Sequence, residues 1–400
     1  MTLRISTAAL HSQGLQGLLK RQSDVARTQQ EMVTGNKLTR AAQDPSGAAQ
    51  AQRIDHAVAM LDGFERNASL LQSRLEQQES ALSDSGDLLG RARDLAVQAN
   101  NASLSSADRR MVALEIRHLR SELLSVSNRD DGTGRALFAG RVDGVRPFVE
   151  SGGTVSYAGD DGRNMLDVGP DLALADAEPG SDVFMRVRTG DGTVRGTPAS
   201  TNAGNVLMQG AQVVNFGTWA GAPMRIEFTA PDAYRIVDSG GAVLSTGAYT
   251  SGESITFGGV QTRLNGTPAV GDSFTVEPAP TRDVFATLEQ LADALDMPVA
   301  SDAERARQNN LIGGALGDIS TAQNHVLGLR AGTGARLGAI DEAGHQREAQ
   351  NESLRTNLSD LRDVNYAEAT SRLSLQLTAI EAAQRTMLRV QQLSLFDRLG

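Results

Sequence analysis

The chain has 400 residues, 40% of them apolar, and a formal charge of -10; that length predicts about two to three domains with real cores, and the acidic balance excludes a general nucleic-acid binder, which needs a basic face. Cysteine is absent, which excludes disulfides, thiol catalysis and thiolate metal sites. No apolar run approaches the roughly 18 residues of a membrane-spanning helix, and His11, Gln13 and Gln16 break the apolar core that a cleavable signal peptide within Met1 to Lys20 needs.

Residues 1–35 carry a thin helical seam, Leu18, Val25 and Met32, with Gln22 and Gln29 between them. So little apolar surface makes an isolated helix marginal in water, and residues 1–43 are expected to be disordered in the monomer. Gly35 to Pro45 interrupts the helix, and Asp44-Pro45 reads as a restart with Asp at the cap and Pro at the first helical position. From Ile54 to Ala99 two series repeat at seven: Ile54, Leu61, Ala68, Leu75, Leu82, Leu89, Ala96, and Ala57, Phe64, Leu71, Gln78, Ser85, Ala92, Ala99. That is a coiled-coil seam. At about 1.5 Å per residue it predicts a helix on the order of 70 Å long, whose narrow stripe demands partner helices. Gln78 and Ser85 mark polar contacts or close approach within a bundle of several helices.

Asn100 to Ser106 reads as a loop, Ser105 and Asp108 have capping-box spacing, and Val112, Ile116, Leu119, Leu123 and Val126 give the next helix its stripe. An antiparallel hairpin over 44–140 follows, ending at Asn128 to Gly134. Beyond Leu137 the texture turns to short β-rich runs: Val145 to Val149, Thr154 to Tyr157, Val183 to Arg188, Met224 to Thr229, Tyr234 to Val237, Ser254 to Phe257 and Ser273 to Val276. Val206 to Val214 fits either a helix or a strand. Nine of the eleven prolines lie between Pro147 and Pro280, which sets the borders of a β-rich region at 141–280. Its first part, 141–186, is expected to associate with the helices and 187–280 to form an inserted outer domain. Asp130-Asp131-Gly132 and Asp160-Asp161-Gly162 look like acidic turns, Asp191-Gly192 like a hairpin turn, and Trp219 with Phe216 and Phe228 like the core of the small β domain.

Helices return over 281–364. Val284, Leu288, Leu291 and Leu295 make a short amphipathic helix closed by Pro298, and Ser301 with Glu304 supplies a second capping box. A seam then runs through Ile312, Leu316, Ile319, Gln323, Val326, Leu337, Ile340, Leu354, Leu358 and Leu361. Arg330, Thr333, Arg347 and Asn351 occupy seam positions, where packing should be looser or wetter, and Gly332-Thr333-Gly334 reads as a local break. Residues 365–400 close the chain with the stripe Leu373, Leu377, Ile380, Ala383, Met387 and Val390. The fold class this predicts is α+β: an elongated bundle of long coiled-coil-like helices from both chain ends, with a β-rich domain inserted in the middle.

Catalytic signatures are missing. His11, His56, His118, His325 and His345 have no metal-ligand spacing, and neither a Gly-x-Ser-x-Gly nucleophile motif nor a phosphate loop ending in Lys occurs. No enzyme, cofactor or metal is expected.

Particular residues carry a resemblance. Arg4, Ile5, Ser6 and Thr7, then Thr34-Gly35-Asn36-Lys37-Leu38 and Asp44-Pro45-Ser46-Gly47-Ala48-Ala49, resemble the N-terminal signature of the bacterial flagellin family. Leu137-Phe138-Ala139-Gly140 and the closing Leu393-Ser394-Leu395-Phe396-Asp397-Arg398-Leu399 are similar to its hook-associated branch. Gln43-Asp44 stands where the family often has two acidic residues, and Arg398 where an aromatic is frequent. The likeness covers about residues 1–170 and 280–400. It implies a structural subunit of the flagellum at the junction of hook and filament, exported through the flagellar type III apparatus to the extracellular structure. Its partners would be copies of itself in a ring, an adjoining hook-associated junction protein, flagellin, and an export chaperone on the C-terminal helix, with no nucleic acid and no membrane insertion. The implied assembly residues are Leu3, Ile5, Leu10, Leu18, Val25, Met32, Leu373, Leu377, Ile380, Met387, Val390, Leu393, Leu395 and Phe396. Filament flagellin is the alternative within the family, and an adhesin or binding module in the β insert is the alternative of another class.

Overall fold

This computed structural model describes residues 7–38, 42, 44–101 and 104–396. Its helices among the described residues are α1 (Thr7–Thr34), α2 (Pro45–Ala99), α3 (Ser106–Ser127), α4 (Val284–Asp296), α5 (Asp302–Arg362) and α6 (Tyr366–Phe396), with antiparallel strands between α3 and α4. The fold class is α+β. The chain divides into two compact units, Met1–Arg66 with Ala343–Gly400, and Asn67–Glu342.

In the first unit Pro45, which has no N–H to lose, opens α2, and the Asp44 carboxylate accepts from the Gly47 N–H at 2.9 Å and the Ser46 hydroxyl at 2.7 Å. Those two bonds hold the Asp44 carboxyl below the usual range. Ala51, Ile54 and Leu61 of α2 are buried. Arg347 pairs with Glu65 at 2.8 Å and Arg362 with Asp55, and the reversed order of the partners makes the α2 and α5 segments antiparallel.

In the second unit α3 starts at the capping box foreseen: the Asp108 N–H donates to Ser105 Oγ at 3.1 Å and the Ser105 N–H to the Asp108 carboxylate at 3.2 Å. Leu82, Leu89, Ile116, Leu123, Leu288, Leu291, Ile312 and Ile319 then form one core from four helices. The hairpin β1 (Phe148–Ser151) and β2 (Thr154–Tyr157) adds to it. Phe138, Phe148, Phe184 and Phe285 meet there, with Phe138 and Phe184 edge to face at 5.2 Å and Phe148 and Phe184 at 5.4 Å. A second hairpin, β3 (Met165–Gly169) and β4 (Leu172–Ala175), sets Val168 against Ala68, Leu71, Leu75 and Ile340. Gln78 and Ser85 are fully buried; the Ser85 hydroxyl bonds back to the Ala81 carbonyl at 2.7 Å, and Gln78 Oε1 accepts from the Glu178 N–H at 3.4 Å.

A single π-helical turn, Ser181–Met185, leads into β5 (Val187–Arg188). Beyond it stand β6 (Val194–Pro198), β7 (Leu207–Val213), β8 (Met224–Ala230), β9 (Ala233–Asp238), β10 (Val243–Ala248), β11 (Ser254–Phe257), β12 (Val260–Asn265), β13 (Ser273–Pro278) and β14 (Thr281–Arg282). One sheet has the order β10-β9-β8-β13-β6 and another β11-β12-β7, while β5 pairs with β14 as a neck. Alternate residues point inward, Met224, Ile226 and Phe228 on β8 and Phe274 and Val276 on β13, and with Val260 and Leu264 they form a separate β core. Polar groups of α5 hold this neck. The Asp318 side chain, 2% exposed, accepts from the Gly190 N–H at 2.7 Å, from Arg195 at 3.0 Å and from Arg282 at 3.1 Å. Nearby, Asn310 accepts from the Met208 N–H and donates to the Val206 carbonyl, both at 2.8 Å, and the Thr321 hydroxyl donates to the Gly190 carbonyl at 2.5 Å.

Residues 7–34 form α1, which packs on α6. Several expectations are corrected. Three of the four polar seam positions of α5 make specific bonds, Arg330 with Glu79 at 2.7 Å, Arg347 with Glu65, and the buried Thr333 hydroxyl with the Leu329 carbonyl, whereas the buried Asn351 Oδ1 has no hydrogen-bond partner among the described residues. Gly332-Thr333-Gly334 does not break the helix, since α5 runs through it. Val183 to Arg188 is a π turn before it is a strand; the bond from the Arg186 N–H to the Ser181 carbonyl lets Val183 and Phe184 both enter the core. The strand foreseen at Val145 starts at Phe148, beyond Pro147, which has no N–H to donate. Residues 207–213 are the strand β7. Asp191-Gly192 does turn, its carboxylate accepting from the Thr193 and Val194 N–H groups, but it joins strands of different sheets and makes no hairpin. Phe216 is exposed, while Phe228 is buried and Trp219 packs on the β core.

Candidate assembly interface

The stripe of α1 is polar enough to need a partner, and α6 is that partner. The pair is antiparallel: Glu31 lies 3.6 Å from Arg372, and farther back Arg21 and Asp24 share an open groove of about 440 Å3 with Ser371, Leu375 and Ala379. Val25, Thr28 and Glu31 are buried on α1, and Ala369 on α6. The Thr28 hydroxyl bonds back to the Asp24 carbonyl at 3.1 Å, which spares it a cost of burial.

The sequence-derived residues divide among different surroundings. Of the assembly set, Val25 is buried, Leu18, Met32, Leu373, Ile380 and Met387 are half-buried, and Leu377 is exposed. Leu3 and Ile5 lie outside the described residues, as do the side chains of Leu10, Val390, Leu393, Leu395 and Phe396. Of the helical seam set, Ile54, Leu61, Leu71, Leu75, Leu82, Leu89, Val112, Ile116, Leu119, Leu123, Ile312, Ile319, Val326 and Ile340 are buried. Phe64, Leu316, Leu337, Leu354, Leu358 and Leu361 are half-buried.

The stripe foreseen is therefore largely spent within the pair, and other apolar residues face outward. Leu375 is 70% exposed, Val33 is 86% exposed, and Leu15, Leu19 and Leu388 are also exposed. Sequence reasoning missed them because it followed one seven-residue series per helix. Leu15 and Leu19, four apart beside the Leu18 series, were the available signal: apolar residues on a second face ask for a second partner. No group of three or more His, Asp or Glu among the described residues is placed to hold a metal ion. His118 pairs with Glu122 at 3.0 Å, and His325 Nε2 lies 2.8 Å from the Asp182 carbonyl.

Residues 5–143 match the bacterial flagellin N-terminal helical region, and residues 316–399 match the flagellin C-terminal helical region. The crystal structure of FlgL from Xanthomonas campestris is 41% identical, covers 76% of this chain and 99% of its own, and has a TM-score of 0.72. The chain belongs to the bacterial flagellin family. Flagellar hook-associated protein 3 of Escherichia coli is 23% identical over 399 residues, 99% of each chain. The flagellar junction protein FlgL from Legionella pneumophila is 25% identical, covers 78% of this chain and 99% of its own, and has a TM-score of 0.70. Within the flagellin family these relatives put the chain on the hook-associated protein 3 branch. Its flagellin-like helices are the ones that build the α1 and α6 pair and the α2, α3 and α5 packing, while the β core of residues 194–276 lies outside both matched regions.

Proposed function

We propose that the chain is a structural subunit of the bacterial flagellum, an adaptor at the hook-filament junction that polymerises through its N- and C-terminal helices. The observation that carries this reading is the outward exposure of Leu15, Leu19, Leu375 and Leu388 on an α1 and α6 pair that already buries part of its inner stripe. Covering one such leucine is worth about 1.5–3 kcal/mol. Several must be covered together to exceed the freedom lost on association, which favours side-by-side packing of many copies. The same contact repeated around an axis closes a ring of copies. An adjoining hook-associated junction protein lies on one side of that ring and flagellin on the other, outside the cell, and the role involves no catalysis. Before export a chaperone covers the C-terminal helix, because exposed apolar helices associate prematurely at high concentration. No helix among the described residues is long and apolar enough to cross a membrane.

A deletion strain tests the reading. Intact hooks with flagellin lost to the medium are expected, and retained full filaments would overturn it. Mixing the purified protein with filament seeds separates the filament alternative, since unlimited self-extension would favour flagellin.

A further inference from the structure

We infer that α5 carries a joint at residues 328–338, a stretch of helix that opens and bends while the apolar cores on either side of it stay packed; this does not depend on the junction reading above. The unit Asn67–Glu342 holds two separate apolar cores along α2 and α5. One takes Ala81, Leu82 and Leu89 of α2 with Ile312, Ile319 and Val326 of α5. The other takes Ala68, Leu71 and Leu75 of α2 with Ile340 of α5. Between these two sets each helix turns polar. Gln78 and Thr333 are fully buried there, and Arg330 and Arg336 of α5 pair with Glu79 and Glu178.

Three observations make this level weak when it is packed. Gly328, Gly332, Gly334 and Gly338 fall within it, and a Cβ at any of them would meet no atom within 4 Å. Close packing therefore does not require glycine here, while each one lowers the helical equilibrium about fivefold against alanine. The Thr333 hydroxyl bonds back to the Leu329 carbonyl at 3.1 Å, an arrangement that loosens and bends helices. Gln78 Nε2, Glu79 Oε2 and Arg336 Nη1 are buried without a hydrogen-bond partner among the described residues. Buried polar groups left unpaired favour any movement that gives them water or a partner. α2, by contrast, has no glycine between Gly63 and Gly86. It is the stiff member against which α5 gives.

The chain has no cysteine, so Asn324→Cys with Asp341→Cys in the full-length protein puts spin labels at two exposed positions of α5, one on each side of the joint. An unbroken helix separates their Cα atoms by about 25 Å. Double electron–electron resonance is expected to show that distance together with a second, displaced population. Replacing all four glycines by alanine should leave the first population alone, since nothing blocks a methyl at any of them. Gln78→Leu, which exchanges an unpaired amide for an apolar chain between the two cores, should also reduce the displaced population. Hydrogen exchange of the unaltered chain is expected to be faster over 328–338 than in either flanking part of α5, and each Gly→Ala change to slow it about fivefold. A single narrow distance in the glycine-bearing chain, exchange over 328–338 as slow as in its flanks, or a displaced population that either set of substitutions leaves intact would overturn the joint.

Discussion

Asp318→Ala is the sharpest test of how the β core is held. The carboxylate is 2% exposed and takes three donors, the Gly190 N–H at 2.7 Å, Arg195 at 3.0 Å and Arg282 at 3.1 Å. Alanine leaves the Arg195 and Arg282 guanidinium groups without the carboxylate they share. Burial already pushes the Arg282 guanidinium down, and the Arg195 charge adds to that. Removing one partner of a buried ion pair costs about 3–5 kcal/mol. The Asn310 and Thr321 hydrogen bonds remain, each worth about 1 kcal/mol, too little to compensate. Urea unfolding measures it with two probes, far-ultraviolet circular dichroism for the helices and fluorescence of Trp219, which packs on the β core. The two transitions are expected to coincide in the wild type and to separate in the variant, with a loss of about 3–5 kcal/mol. Asp318→Asn, which keeps an acceptor for Gly190 but no charge, should fall between. Coincident transitions with a loss under about 1 kcal/mol in both variants would refute the reasoning.

Other outcomes follow from the same geometry. Gly180→Ala sets a methyl 2.6 Å from the Phe148 ring and 2.7 Å from the Phe138 carbonyl, and overpacking there should lower stability by about 1–3 kcal/mol in thermal unfolding. Tyr157, whose hydroxyl donates to the Phe138 and Asp160 carbonyls, has its pKa pushed up to about 12 by burial, with the charges of Asp160 and Asp161 adding to it. A raised folded pKa means that its contribution is complete below the ordinary value near 10 and is lost as pH rises through about 12. An alkaline unfolding limb in that window should flatten in Tyr157→Phe, and an unchanged limb would count against Tyr157 as its source. Asp131 behaves oppositely. Burial raises its pKa, but the Thr133 hydroxyl and N–H, the Arg135 N–H and the Arg74 charge outweigh that and hold it low, so its contribution is present at neutral pH and is lost on acidification below the ordinary carboxylate range. Asp131→Asn should therefore lessen the acid sensitivity seen by circular dichroism. Finally, Leu375→Asp and Leu19→Asp should abolish assembly without moving the melting temperature, whereas Leu377→Asp and Met387→Asp should weaken both chaperone binding and assembly; normal motility in these strains would contradict the assembly face.

What could be read from the sequence was what is local or periodic. Both capping boxes, at Ser105 and Ser301, need only residues three apart, and the Glu304 N–H does donate to Ser301 Oγ at 3.2 Å. The seven-residue seam from Ile54 to Ala99 is legible because a long helix repeats its demand many times. Misreadings arose where a partner is remote. Arg330 and Arg347 looked like wet gaps because their carboxylates, Glu79 and Glu65, lie 251 and 282 residues away. The strand β10 escaped notice because no residue on it is buried, so it has no inward and outward alternation to detect. The π turn at Ser181–Met185 has no sequence signature apart from the core that Phe184 must reach. At the candidate interface the stripe was legible, but which face of α1 and α6 it occupies depends on the two helices having each other.

The ion pair of Arg362 with Asp55 spans 307 residues, and that of Arg347 with Glu65 spans 282. A pairing so distant in sequence closes late, because the entropy of closing the loop must be met before the contact gives anything back. The early helices of this chain consequently cannot complete their packing until its last quarter is present. Under the proposed function that order is useful: a chain threaded from one end remains unfinished while in transit, and its arrival is itself the event that lets it fold.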